Sequence, residues 1–301
     1  MGKLIKVIAI IAVLYLISSL ASKLLGDDLD QTDKIAVVPI KGVITTSAGS
    51  ISPLQQSGTT SKEIIEFLEK AEDDKKVKAI VLDINSPGGT VVASREVAEK
   101  VKEIEKPTVA VIRDVGASGA YWIATASDLI VADPLSITGS VGVIASYLEF
   151  SELFDEYGIT YQGLKAGELK DMGSPFKTLT SQERSIIQKK LDRVHEHFID
   201  EVVKNRELPE SSVSEISTGV YFLGEEALEL GLIDEFGNKA DAIDRAEELA
   251  EIEDSKVVEY EKESTLLDVL TNINAMSFFY MGKGIGAQLQ QTEMKGLEII
   301  A

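Results

Sequence analysis

The sequence predicts an α/β fold built on a parallel sheet. Two observations carry that expectation. Short, continuously apolar runs recur at residues 35–40, 79–84, 109–112 and 129–132, each the length of a buried strand. Segments with helical spacing of apolar residues lie between them, the pattern of βαβ units with helices covering both sheet faces. A third observation concerns chemistry: Gly-rich junctions follow three of these runs.

The elements follow in order. Lys3 and Lys6 lead into the apolar run 7–20, and Ser22 and Lys23 close it. Such a segment can just span a ~30 Å hydrocarbon core. The basic flank before it and Asp27, Asp28 and Asp30 after it place the N-terminus inside and the rest outside the cytoplasm. Residues 1–26 are therefore expected to be a transmembrane anchor, with 27–34 a linker. A cleaved signal peptide ending near Ser19-Leu20-Ala21 is the competing reading. Residues 61–71 carry Ile64, Ile65 and Leu68 on one helical face. Residues 91–104 carry Val92, Val97, Val101 and Ile104, and 117–127 form a further helix. Thr180-Ser181-Gln182-Glu183 is a capping box. It opens a long helix with Ile186, Ile187, Leu191, Val194, Phe198 and Val202. Residues 257–260 suit a last strand. The main domain is thus 35–260, and 261–301 form a tail.

Composition narrows the chemistry. The 301 residues include two His and no Cys, so disulfides, thiolate nucleophiles and Cys-ligated metals are excluded. His195 and His197 are two apart on a helix, about 200° around its axis, and lack the i,i+4 spacing of a helical zinc site. A histidine base is not expected. A net charge of −20, with no basic stripe, argues against nucleic acid.

The first junction, Asn85-Ser86-Pro87-Gly88-Gly89, joins a strand to a helix, and free amides at a helix start suit an anion or oxyanion. The second, Gly116-Ala117-Ser118-Gly119-Ala120, exposes a serine where a helix begins. Alone, Ser118 reads equally as an N-cap. Two such junctions on adjacent parallel strands would supply a nucleophile and two oxyanion donors. The third, Thr138-Gly139-Ser140-Val141-Gly142, offers Ser140 as a turn residue or polar partner. A serine nucleophile needs a base, and with His unpromising a neutral lysine remains. The stretch Leu164-Lys165-Ala166-Gly167-Glu168-Leu169-Lys170-Asp171-Met172-Gly173-Ser174-Pro175-Phe176 is rich in turn residues and could enter a site. Composition does not choose among its lysines.

These motifs resemble the signal peptide peptidase A family of serine proteases, peptidase family S49, over residues 35–237. The residues that carry the resemblance are Asp83-Ile84-Asn85-Ser86-Pro87-Gly88-Gly89, Ala117-Ser118-Gly119-Ala120-Tyr121, the Ser140 junction, and Lys170 with Gly173-Ser174-Pro175-Phe176. The block from Gly224 to Asp234 also fits. That block and the Asn-Ser-Pro-Gly-Gly turn recur across the ClpP/crotonase superfamily, whereas the Ser118 and Lys170 contexts are more specific. The resemblance implies a spiral of repeated ββα units and a Ser/Lys dyad. Ser118 would be the nucleophile, Lys170 the base, Ser140 the partner orienting the lysine, and Gly89 and Gly119 the oxyanion hole. Lys165 is the weaker base candidate. It further implies a membrane-anchored homo-oligomeric ring of the short type, with the dyad completed across a subunit interface. Its substrates would be cleaved signal peptides, and no metal, nucleotide or other cofactor is needed.

Three rivals share these residues. A crotonase-superfamily acyl-CoA enzyme would use the same oxyanion turn, but CoA is cytoplasmic. An NfeD-type membrane serine protease, acting on a membrane protein partner, generally has further spans, and no run of 18 apolar residues follows Leu25. In a non-catalytic ring scaffold, Ser118 would only cap its helix. Asp171, beside Lys170, is expected to point away from the lysine amine, because a carboxylate there would hold it protonated. Residues 276–279 and 285–287 of the tail, apolar and small, suggest a segment that the enzyme itself trims.

Overall fold

The computed structural model describes residues 13–15, 32–47 and 58–261. The anchor and the tail, apart from residues 13–15 and 261, lie outside the described residues. Among the described residues no helix is long and apolar enough to cross a membrane.

Strand β1 (Lys34–Lys41) sits between β10 (Lys256–Glu259) and β4 (Val77–Ser86). The sheet continues through β5 (Thr108–Ala117), β6 (Leu129–Ala132) and β9 (Glu235–Phe236), and every pair along this path is parallel. A small second sheet pairs β2 (Ile44–Thr45) with β3 (Thr59–Thr60). The expected α/β class and parallel sheet are therefore present.

The apolar runs are continuous because both sheet faces are covered. Alternate side chains point to opposite faces. Ala36, Val38, Ile40, Ile80, Leu82, Ile84, Ala110 and Ile112 join the core beneath α1 (Ser61–Asp73), α2 (Val91–Glu103) and α3 (Gly119–Ala124). Ile35, Val37, Ala79, Val81, Val109, Val111 and Val131 face the other way, against Ala242 and Ala246 of α8 (Lys239–Leu249).

Two boundaries differ from expectation in ways that matter. The strand 109–112 extends to Ala117, so the helix expected over 117–127 starts only at Gly119 and ends at Ala124. The extension exists because the end of β5 gains a new partner, β7 (Ile137–Gly139), which pairs in turn with antiparallel β8 (Tyr221–Leu223). Neither β7 nor β8 was signalled by an apolar run, since each is only three residues long.

After β7 the chain runs as an extended arm from Gly142 to Leu179, with one short helix, α4 (Ser151–Glu156). It leaves Ile144, Leu148, Tyr157 and Leu164 exposed. The long helix α5 (Ser181–Arg206) then returns to the core. Its predicted capping box is formed: Glu183 N donates to Thr180 Oγ1 at 3.2 Å, and Thr180 N donates to Glu183 Oε2 at 2.9 Å. The apolar side chains of α5 are fully buried only in its distal half, at Phe198 and Val202. Phe198 stacks on Trp122 at 4.6 Å between centroids, whereas Ile186, Ile187, Leu191 and Val194 stay half-buried. Two short helices, α6 (Glu210–Ile216) and α7 (Gly224–Glu229), lead back to β9. There Asp234 accepts from Ile130 N at 2.7 Å and from Arg206 of α5, fastening the block 224–234 to the sheet.

The capping box holds the arm-to-α5 junction, so Thr180→Ala should cost about 1 kcal/mol of stability. Denaturant unfolding of the variant checks this, and Ser181→Ala, one residue on and outside the box, should cost less.

Candidate active site

The site grows from the end of β5. Its last residues pair in parallel with β7, Gly116 opposite Thr138 and Ala117 opposite Gly139. Ser118 N then donates to Gly139 O at 2.8 Å. That bond holds Ser118 at the hinge between strand and helix with φ 54° and ψ −125°. A non-Gly residue in this region stores of order 1–3 kcal/mol of strain. A sharp strand-to-helix turn of this kind presents a nucleophile outward at the top of a sheet. Ser118 occupies the N-cap position of α3, yet its side chain makes no capping hydrogen bond. The simple N-cap reading therefore fails on geometry.

The β4–α2 junction meets this turn backbone to backbone. Gly88 has φ +98°, and a Cβ there would lie 2.7 Å from Gly119 N and 2.9 Å from Ala117 O. A Cβ on Gly119 would lie 2.1 Å from Ser94 Oγ and 3.3 Å from Gly89 N. Only glycine permits these approaches. Among the described residues, neither the Gly89 nor the Gly119 amide donates to a backbone carbonyl. A free hydroxyl and two free amides thus converge, the arrangement that adds an oxygen to a carbonyl and stabilises the oxyanion formed.

Ser118, Gly89, Gly119 and Ser140 all line one cavity of about 680 Å³. Ser140 also has a positive φ, 51°. Its amide donates to Val220 O at 3.0 Å, and its hydroxyl reaches Gly219 O at 3.3 Å. The walls are Val91, Trp122, Val143, Ile144 and Phe198.

Two lining residues were not anticipated. Ser94, on α2, donates to Thr90 O at 3.1 Å and packs against Gly119. His195, on α5, lies 2.9 Å through Nε2 from Val141 O. The amphipathic pattern of α5 could have flagged it, because His195 lies about one turn before Phe198 and two turns before Val202, on the packed side. Its ring nitrogen bonds a backbone carbonyl of the 139–142 loop, so it braces that loop. His197 instead meets the edge of Trp122.

Lys170 is not in this cavity. It sits exposed in the turns between Gly167 and Gly173, and among the described residues its side chain has no hydrogen bond or ion pair. The arm around it is well fixed. Phe176 stacks on Tyr161 at 4.7 Å and on Phe154 at 5.5 Å, and Phe150 N donates to Pro175 O at 2.7 Å. These contacts give the Gly-Ser-Pro-Phe motif a structural reason. The Asp171 carboxylate binds Lys165 Nζ at 2.7 Å and Lys177 Nζ at 2.9 Å, and not Lys170. The hydrogen bonds from Lys165 and Lys177 pull its pKa down to about 2. Lys165 is thus engaged with a carboxylate, the opposite of what a base needs.

Comparison with known proteins gives the family. The Peptidase family S49 model matches residues 100–253. The chain belongs to peptidase family S49. A putative protease of Methanocaldococcus jannaschii is 34% identical over 97% of this chain and 96% of that one. A putative signal peptide peptidase SppA of Enterococcus faecium is 33% identical over 77% of this chain and 68% of its own length. A Clp protease family model also matches residues 50–130. Among solved structures, a 1510-N membrane-bound stomatin-specific protease superposes with a TM-score of 0.51, covering 77% of this chain and 99% of that one. At 14% identity it speaks for the fold alone. The chain is accordingly a serine peptidase with a ClpP-like α/β fold.

In this S49 peptidase the contact between Gly119 and Ser94 is testable. Gly119→Ala should lower both the melting temperature and peptide hydrolysis, the latter by about 100-fold if an oxyanion donor is displaced. Adding Ser94→Gly removes the clashing hydroxyl and should recover part of each loss.

Proposed function

We propose that the protein is a membrane-anchored endopeptidase that degrades cleaved signal peptides with a Ser118/Lys170 dyad. The observation that carries this reading is the strained Ser118 turn, with its unbonded hydroxyl beside the Gly89 and Gly119 amides. Ser118 Oγ attacks the peptide carbonyl while neutral Lys170 takes its proton. The two amides stabilise the oxyanion, each such donor being worth about 3 kcal/mol. Lys170 then protonates the leaving amine, and water releases the acyl group by the same route. Ser140, in the same cavity, orients the lysine amine. The apolar walls suit the side chains of a signal peptide, and an N-terminal anchor would keep the enzyme at the membrane where such fragments arise.

Lys170 reaches the cavity of a second copy in this reading, within a homo-oligomeric ring. Three features support it: Lys170 lies outside its own chain's Ser118 cavity, the arm bearing it exposes Ile144, Leu148 and Leu164, and the first half of α5 keeps its apolar stripe half-buried. Apolar surface of that extent is characteristic of an interface.

A fluorophosphonate probe should label Ser118 in the assembled protein. Ser118→Ala and Lys170→Ala should each reduce hydrolysis by at least 1,000-fold, of the order seen when a nucleophile or base is removed. Co-assembly of the two inactive variants should restore measurable activity, because some interfaces then pair an intact Ser118 with an intact Lys170. Full activity of Lys170→Ala would refute the dyad. Failure of co-assembled variants to recover, with the ring intact, would place both groups in one subunit.

A further inference from the structure

Three lysines crowd one short stretch of the arm, and they differ in their partners. Lys165 Nζ and Lys177 Nζ converge on the same oxygen, Asp171 Oδ1, at 2.7 and 2.9 Å. Lys177 also reaches Glu183 Oε1 at 2.6 Å. Glu183 is almost fully buried at the start of α5, where it also accepts from Thr180 N and Thr180 Oγ1. Lys177 is therefore held from two sides, by the arm and by the helix. Lys170, next to Asp171 in sequence, is the lysine of the three with no carboxylate partner among the described residues.

We propose that Lys165 and Lys177 are positioning residues whose task is to occupy the Asp171 carboxylate, so that the adjacent Lys170 amine has no anion to pair with. This rests on the reading of Lys170 as the base. A base must be neutral when it takes the proton, and a carboxylate within about 4–6 Å favours the charged amine. Asp171 is the next residue along the turn, and its carboxylate is the one nearest in sequence to the Lys170 amine. Two lysines on one oxygen keep that carboxylate engaged. The titratable groups in contact with the cluster are Lys165, Lys177 and, from α5, Glu183; Glu149, ahead of α4, bonds Ser151 and Thr178 instead. The depressed pKa of Asp171 keeps its carboxylate ionised through the ordinary carboxylate range, so on the acid side both pairs persist until pH falls towards about 2. The arrangement therefore persists across the acid range above that point. Its stabilising effect is small, as for most exposed ion pairs, so its consequence is for chemistry rather than for folding.

The test is the pH profile of kcat/KM on a soluble fluorogenic peptide, measured with the full-length assembled protein. In the Lys165→Met/Lys177→Met variant, Asp171 is released and the acid limb should move up by about one pH unit, roughly tenfold in rate at a fixed acidic pH. Adding Asp171→Asn should return the limb to its original position, a rescue that a merely structural role would not produce. Loss of Lys177 also leaves Glu183 buried without its cation, so that variant could fail to fold. Lys165→Met alone, which breaks no contact with α5, should then give a smaller shift of the same sign. An unmoved limb in a folded variant, or a limb that Asp171→Asn fails to restore, overturns the proposal. Wild-type activity in Lys170→Ala would instead overturn the reading of the base, and the two failures are distinct.

Discussion

The close approach of two backbone turns governs the rest of the site. Residues Gly88 and Gly89, after β4, press against Ala117, Ser118 and Gly119, after β5, at distances that exclude any side chain. That contact is available only because β4 and β5 are neighbours in a parallel sheet, so both junctions emerge at the same edge. The parallel pairing in turn depends on continuous apolar strands and on helices that cover both faces. Substrate-facing geometry here is a consequence of sheet order. The hydrogen bond from Ser118 N to Gly139 O then fixes the strained turn, and β7 exists to supply that carbonyl. Strain of this kind persists only where surrounding structure over-determines it.

The second layer braces the first. His195 bonds Val141 O, and Trp122 stacks on Phe198, so α5 holds both α3 and the 139–142 loop. Tyr121, fully buried, donates to Leu232 O at 2.8 Å and ties α3 to the block before β9. Burial pushes the Tyr121 phenol well above its ordinary pKa, so it remains a neutral donor. The motif block 224–234 thus serves the site indirectly, by anchoring the helix whose first amide is Gly119.

The sequence is legible where the physics is local. Continuous apolar runs announced β1, β4, β5 and β6, and the Thr180–Glu183 capping box marked the start of α5. The three Gly-rich junctions do come together around one cavity. What escaped was non-local. β7 and β8 are too short to carry a pattern and are defined by their partners. The extension of β5 to Ala117, and hence the strained φ of Ser118, follows from β7 and could not be read without it. Ser94 enters the site through packing of helices, which spacing alone does not reveal, whereas the place of His195 on the packed face of α5 was open to reading. Lys170 was legible as a motif but not as geometry, because it lies outside the Ser118 cavity of its own chain.

The two members of the proposed dyad are held in opposite ways. Ser118 is over-determined: sheet pairing, a fully buried α3 and two glycine contacts all fix it. Lys170 belongs to a segment ordered within itself, by the Phe154–Phe176–Tyr161 stack and the ion pairs of Asp171, while its outer face stays open. A nucleophile needs a rigid angle of attack, which a strand-to-helix turn provides. A base needs an amine delivered into a dry pocket, and Lys170 lies exposed. The arm also exposes Ile144, Leu148 and Leu164, apolar side chains that a partner would cover. In the proposed oligomer, burial of the arm against a partner would bring the lysine to the serine and exclude water from it in one step, so that the rigid half of the site waits on the docking of the arm rather than on any change within β5 or α3.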